Sequence, residues 1–232
     1  MIVPCIDLMD GKVVQLVQGR EKALEGKSID EMLRLFEGFP QIQVIDLDAA
    51  MDRGSNSELV RYLAGHAIVR AGGGVRSVER ARQLLEQGAY RVIVGTAAFL
   101  VPGFLEELAR AIGPERVIVA LDSKDGRVVV KGWKESTAFT ATEVIHNFEP
   151  YCSGFLCTYV DKEGMLQGTD LEWFRGLRGA TKHELTAAGG ITTLADVAAL
   201  TALDIHCAIG MAIYTGRLDL DELRKLNLVK SK

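Results

Sequence analysis

Asp7-Leu8-Met9-Asp10-Gly11-Lys12-Val13-Val14 returns later in the chain as Asp122-Ser123-Lys124-Asp125-Gly126-Arg127-Val128-Val129, an offset of 115 residues. Two further segments keep that spacing to within a residue. Ala71-Gly72-Gly73-Gly74-Val75 recurs as Ala187-Ala188-Gly189-Gly190-Ile191, and Val94-Gly95-Thr96-Ala97-Ala98-Phe99 recurs as Ile209-Gly210-Met211-Ala212-Ile213-Tyr214. Three matches in one order at one spacing mark an internal duplication, and two such copies account for essentially all 232 residues.

Outward from these motifs, short apolar runs alternate with segments of helical period. Strands are expected at 3–6, 42–45, 67–71, 91–95, 116–121, 154–158, 184–188 and 205–210. Helices are expected at 28–39, 55–63, 77–88, 101–113, 140–148, 170–177, 192–203 and 219–230. In the third of these, Val78, Ala81, Leu84 and Leu85 recur at spacings of three and four, and Gly88 supplies a stop. Ser28, Ser77 and Thr192 stand where N-caps belong, Ser28 with Glu31 as a capping box. Repeated βα units imply a parallel sheet. Four per copy give an α/β chain, a (β/α)8 TIM barrel in one domain over 1–232, with half-barrel repeats of approximately 1–115 and 116–232. The competing open doubly wound sheet offers no reason for matching halves. Asp10-Gly11 and Asp125-Gly126, each followed by a β-branched run, predict hairpins at a barrel end rather than ninth strands.

Composition excludes several classes. A formal charge of −4 with both signs interspersed gives no nucleic-acid surface. The N-terminus has no signal-peptide pattern, and no apolar run approaches the roughly 18 residues of a membrane span. A cytoplasmic protein without a membrane partner is expected. Cys5, Cys152, Cys157 and Cys207 show no CxxC and no histidine at metal spacing, and read as buried thiols. His66, His146, His183 and His206 are scattered. No metal and no cofactor are expected.

In a barrel, Asp7 and Asp122 end strands one and five and face each other at the C-terminal rim, where barrel active sites lie. The turns at Gly73-Gly74, Gly95-Thr96, Gly189-Gly190 and Gly210-Met211 follow strands three, four, seven and eight, where backbone N–H groups at helix starts suit a phosphate. Two such pairs imply a small molecule with a phosphate at each end. Its reactive middle would lie between two carboxylates able to divide proton donation and abstraction.

Val3-Pro4-Cys5-Ile6-Asp7-Leu8, Leu16-Val17-Gln18-Gly19, Val44-Ile45-Asp46-Leu47-Asp48, Gly72-Gly73-Gly74-Val75-Arg76-Ser77, Gly132-Trp133 and Gly168-Thr169-Asp170, with the repeats above, resemble the half-barrel-repeat isomerases of histidine biosynthesis. The resemblance covers almost the whole chain. It implies an Amadori rearrangement of a phosphoribosyl aminoaldose to its phosphoribulosyl aminoketose, by a monomer and without a cofactor. It also implies that Asp7 is the general base, Asp122 the general acid, and Thr158 a residue that positions or stabilises the open-chain intermediate. Arg20 would contact the distal phosphate or the carboxamide end, Arg76 would add positive charge near the Gly72-Gly73-Gly74 turn, Trp133 would stack on or close over the imidazole, and Asp46 would serve as a substrate or network residue. The chain departs from the family at Tyr159-Val160-Asp161-Lys162-Glu163-Gly164 and at Ala49-Ala50. Alternatives are a dual-substrate isomerase that also takes phosphoribosylanthranilate, the imidazole glycerol phosphate synthase cyclase subunit, and a phosphometabolite-binding barrel without catalysis.

Overall fold

Branched side chains bury both faces of the central strands, the environment of a sheet wrapped by helices outside and filled by side chains within. All four residues of Val69–Gly72 and of Arg91–Val94 are buried. The structure is a computed structural model describing residues 1–17, 21–25, 27–162 and 168–229.

In chain order the elements are β1 (Ile2–Met9), β2 (Lys12–Val17), β3 (Glu21–Glu25), α1 (Ile29–Leu35), β4 (Ile42–Asp46), α2 (Leu47–Ala50), α3 (Ser57–Ala64), β5 (Val69–Gly72), α4 (Val78–Glu86) and β6 (Arg91–Val94). Then come α5 (Thr96–Leu100), α6 (Phe104–Ile112), β7 (Val117–Lys124), β8 (Arg127–Val130), β9 (Glu135–Ser136), α7 (Ala141–Phe148) and β10 (Gly154–Tyr159). The chain continues with α8 (Leu171–Ala180), β11 (Glu184–Ala188), α9 (Leu194–Ala202), β12 (His206–Ile209), α10 (Met211–Tyr214) and α11 (Leu220–Val229). Strands β1, β4, β5, β6, β7, β10, β11 and β12 pair in parallel, and β12 returns to β1. This closed ring is the expected eight-stranded barrel. β2 and β3 run antiparallel from β1, and β8 and β9 from β7, so the two hairpins stay outside the ring.

Helix boundaries follow the local chemistry. Ser28 and Glu31 form the capping box, and the Ser77 hydroxyl accepts from the Arg80 N–H. Val78, Ala81 and Leu84 turn inward on α4, and the chain leaves through Gly88 at φ 101°. The cap expected at Thr192 is instead Thr193, which lies three residues before Asp196 and so completes a capping box. Both the N–H and the hydroxyl of Thr192 donate to the same Asp196 carboxylate. The one-turn helices α2, α5 and α10 were not expected, since four or five residues carry no measurable period.

The main apolar cluster lies between ring and helices, with Ile6, Val44, Leu108, Phe155 and Phe174 at its centre. Each such side chain contributes about 1.5–3 kcal/mol by leaving water. Inside the ring, Ile93, Ile118, Leu156 and Ala208 form a smaller cluster with Cys5 and Ile45 against it. At the opposite end of the interior from the rim, Arg70 and Arg91 each reach Glu184 at 2.9 Å, and His206 Nδ1 lies 3.4 Å from the same carboxylate. Burial alone pushes Glu184 upward, but the His206 hydrogen bond and the two guanidinium groups outweigh it and leave the carboxyl at about 2. None of the four cysteines, all among the described residues, forms a disulfide. Among the described residues no helix is long and apolar enough to cross a membrane.

Candidate active site

The two hairpins are built alike. Asp10 and Gly11 take φ 51° and 71°, and Asp125 and Gly126 take 49° and 75°. Two consecutive positive φ values make the two-residue turn whose twist matches a hairpin. Each turn is tied to the next strand's loop. The Asp10 N–H donates to the Asp48 carboxylate at 2.7 Å, and the Asp125 N–H to the Asp161 carboxylate at 3.0 Å. Residue spacing alone does not reveal these anchors, because each joins segments about 40 residues apart.

Asp7 and Asp122 are half-buried at the end of the ring from which the hairpins rise. Whichever way one travels around the ring, β1 and β7 stand four strands apart, so the two carboxylates lie on opposite sides of the mouth. Their surroundings differ. Asp7 is raised to about 7 by burial, whereas Asp122 is raised by burial and held back by hydrogen bonds from Thr158 and Trp133. The Trp133 indole N–H donates to Asp122 at 2.8 Å, from a backbone with φ 65°. Trp133 was expected above the substrate ring; here its polar edge is committed to the carboxylate. Thr158 is register partner to Asp122 in the β10–β7 ladder.

The glycine turns flank this pair. Gly95 heads α5 with φ −106° and ψ −109°, and Gly210 heads α10 with φ −110° and ψ −93°. The matched backbones begin one-turn helices at Thr96 and Met211, whose first N–H groups have no intrahelical acceptor. The Thr96 hydroxyl also accepts the Lys131 N–H at 3.0 Å, drawing the second hairpin onto its turn. At Gly73 and Gly190 glycine has a further reason: an added Cβ would come within 2.1 Å of the Asp46 carbonyl oxygen and 2.2 Å of the Gly168 carbonyl oxygen. Gly74 and Gly189 also have positive φ, 67° and 87°.

Asp46 lies on the other side of the sheet. It shares strand parity with Ile42 and Val44, is fully buried, caps α2 through the Ala49 N–H, and accepts from the Asn56 N–H and side-chain amide. Asn56, which the sequence reading did not single out, also bonds Asp48 and accepts from the Gly11 N–H, so one amide ties the first hairpin to β4. Arg76 is exposed and donates to the Ala50 carbonyl and to Asp52. Arg20, Glu163 and Gly164 lie outside the described residues. Among the described residues no three His, Cys, Asp or Glu side chains converge as metal ligands.

The family profile described as histidine biosynthesis protein matches residues 1–219. A protein of Methanocaldococcus jannaschii is 40% identical over 238 aligned positions, covering all of both chains. One of Myxococcus xanthus is 41% identical, covering 94% of each, and one of Methanothermobacter thermautotrophicus is 38% identical, covering 99% of this chain and all of its own. Each of the three carries the name 1-(5-phosphoribosyl)-5-((5-phosphoribosylamino)methylideneamino) imidazole-4-carboxamide isomerase.

Proposed function

The chain belongs to the histidine biosynthesis protein family, and from that membership we propose how its barrel mouth serves the reaction. The protein is an isomerase of histidine biosynthesis. It converts the phosphoribosyl aminoaldose named for its relatives into the phosphoribulosyl isomer. The reading of the site rests above all on one observation: two carboxylates at matching strand ends, with unlike surroundings.

The chemistry needs a proton given and a proton taken in each of its two stages, ring opening to the enolamine and tautomerisation to the ketone. Asp122 donates to the ring oxygen, the bond from that oxygen to C1′ breaks, and an open-chain Schiff base forms. Its positive nitrogen acidifies the C2′ hydrogen, which Asp7 removes to give an enolamine. Asp7 then returns its proton at C1′ and the C2′ hydroxyl gives its proton to the Asp122 carboxylate, which yields the ketone and restores both aspartates, so atoms balance as an isomerisation requires. A base titrating near 7 is a strong acceptor that is still half ionised at neutral pH. Burial favours the protonated form of Asp122, and the Thr158 and Trp133 donors stabilise its anion once the proton has left. Thr158 would also touch the open chain beside Asp122. The turns headed by Gly95 and Gly210, with Gly73-Gly74 and Gly189-Gly190, would hold the two phosphates. Arg20 and Arg76 would add charge.

Both carboxylates and both pairs of turns come from one chain, which supports a working monomer. The likeness of the hairpins, turns and helix starts supports a duplicated four-strand unit. Cysteines that form no disulfide suit the reducing cytoplasm. Steady-state assay of the purified chain with the aminoaldose and, separately, with phosphoribosylanthranilate tests the reading. Turnover of the first is expected, and failure on it under saturating conditions overturns the reading.

A further inference from the structure

The edge of β1 carries a gap just below Asp7. β12 pairs with that edge only as far as Pro4↔Ile209, and β2 takes it up from Asp7↔Val14, while β4 holds the other edge through Leu8↔Asp46. A carbonyl at such a gap is open to a side-chain donor. For Cys5 the donor is the Tyr214 hydroxyl, at 3.1 Å. Tyr214 closes α10, the single turn that starts at the Gly210 phosphate-type corner.

Gln15 completes the arrangement from the hairpin. It is 4% exposed, follows Val14, the register partner of Asp7, and donates its amide to the Val14 carbonyl at 2.9 Å. Its Oε1 faces Gly210 so closely that a Cβ there would come within 2.7 Å. The Tyr214 phenol is pushed upward by burial first and by the Asp7 charge next, and the Gln15 amide opposes that rise by hydrogen bonding. The phenol therefore lies near both the Gln15 amide and the Asp7 carboxylate.

The other half lacks this arrangement. At the offset of the repeat, Val130 replaces Gln15 and Phe99 replaces Tyr214. The β6 ladder on β7 stops at Val94↔Val119 and β8 begins at Ser123↔Val128, so that edge has a gap too. Phe99 packs on Phe148, with ring centroids 5.4 Å apart.

We propose that Tyr214 and Gln15 are positioning residues for Asp7: they join the Cys5–Asp7 segment, the first hairpin and the Gly210 turn, so that an anion seated on that turn and the carboxylate's placement are coupled. This rests on Asp7 acting as the base, and the test separates the two claims. Tyr214→Phe keeps the ring and removes only the hydroxyl, and Gln15→Met keeps the length and removes the amide. Each should lower kcat by about 10-fold with KM changed by less than about 3-fold, and should move the acid limb of the kcat/KM profile by about half a pH unit. The double variant should lose less than the product of the single losses. Parent-like kcat and pH profile in both folded variants overturns the proposal, as does a loss that merely follows a lowered melting temperature with the acid limb unmoved. Asp7→Asn is assayed alongside. If it retains turnover, the base assignment itself fails; if it is inactive while Tyr214→Phe and Gln15→Met behave as the parent, only the positioning claim fails.

Discussion

Ile45 lies beside Asp7 in the β1–β4 ladder, and Thr158 lies beside Asp122 in the β7–β10 ladder. The two halves otherwise share their hairpin turns, their anchoring aspartates and their glycine-headed helix starts. One half gives its carboxylate an apolar register neighbour and no hydrogen-bond donor that shifts it; the other gives it a hydroxyl and an indole N–H. The scaffold was kept alike and the side chains next to the carboxylates were not, which is enough to make one aspartate a stronger proton acceptor than the other.

The comparison breaks most sharply at the carboxylates themselves. Asp7→Asn should reduce turnover by about 10³-fold, within the usual span of general base catalysis, measured by steady-state assay with substrate binding retained. The same variant should change stability in a defined direction. Folded Asp7 titrates at about 7 against an ordinary aspartate value of 3.8, so between those values the folded chain holds a proton that the unfolded chain has lost. Stability from this group is present at low pH and is lost as pH rises through about 7. Thermal melts should therefore place Asp7→Asn above the parent at pH 8, with the difference shrinking towards pH 4.

Asp122→Asn should cost about 10²-fold, less than the Asp7 change if ring opening also proceeds without assistance in part. A substrate analogue already held open would recover most of that loss. Equal loss with closed and open forms would show that ring protonation is not the role of Asp122. Trp133→Phe removes one of the two donors to Asp122. It should lower kcat by about 10-fold, in the range of one hydrogen bond to a charged group, and raise the Asp122 titration further, visible in the alkaline limb.

The finest test exchanges the neighbours. Ile45→Thr offers Asp7 a hydroxyl of the kind that Thr158 supplies to Asp122. The acid limb of kcat/KM should move down by less than about one pH unit, because a hydrogen bond favours the charged form. Thr158→Val should move the Asp122 titration the other way. An acid limb unaffected by Ile45→Thr would mean that the register neighbour does not set the difference between the halves.

What the sequence made legible was whatever repeats or alternates locally. The eight strands, the Asp-Gly hairpins and the capping box at Ser28 each involve residues a few positions apart, and the cap expected at Thr192 falls one residue later. The positions of Asp7 and Asp122 at strand ends followed from the same pattern. Their environments did not. Thr158 meets Asp122 through a ladder between distant strands, Tyr214 reaches Cys5 across 209 positions, and Asp46 turns to the helical side because strand parity carries it there. Side-chain neighbours of that kind are decided by register and closure, which no short window contains.

The ion cluster at the far end of the ring bears on partner choice between pieces of the chain. Arg70 and Arg91 come from the first half, and their carboxylate partner, Glu184, comes from the second. Two first-half segments closing on each other would bring guanidinium groups together with no such counter-ion, and two second-half segments would oppose glutamates. Only the mixed pairing gives the two guanidinium groups a carboxylate, leaving one net positive charge among these three side chains in place of uncompensated like charges.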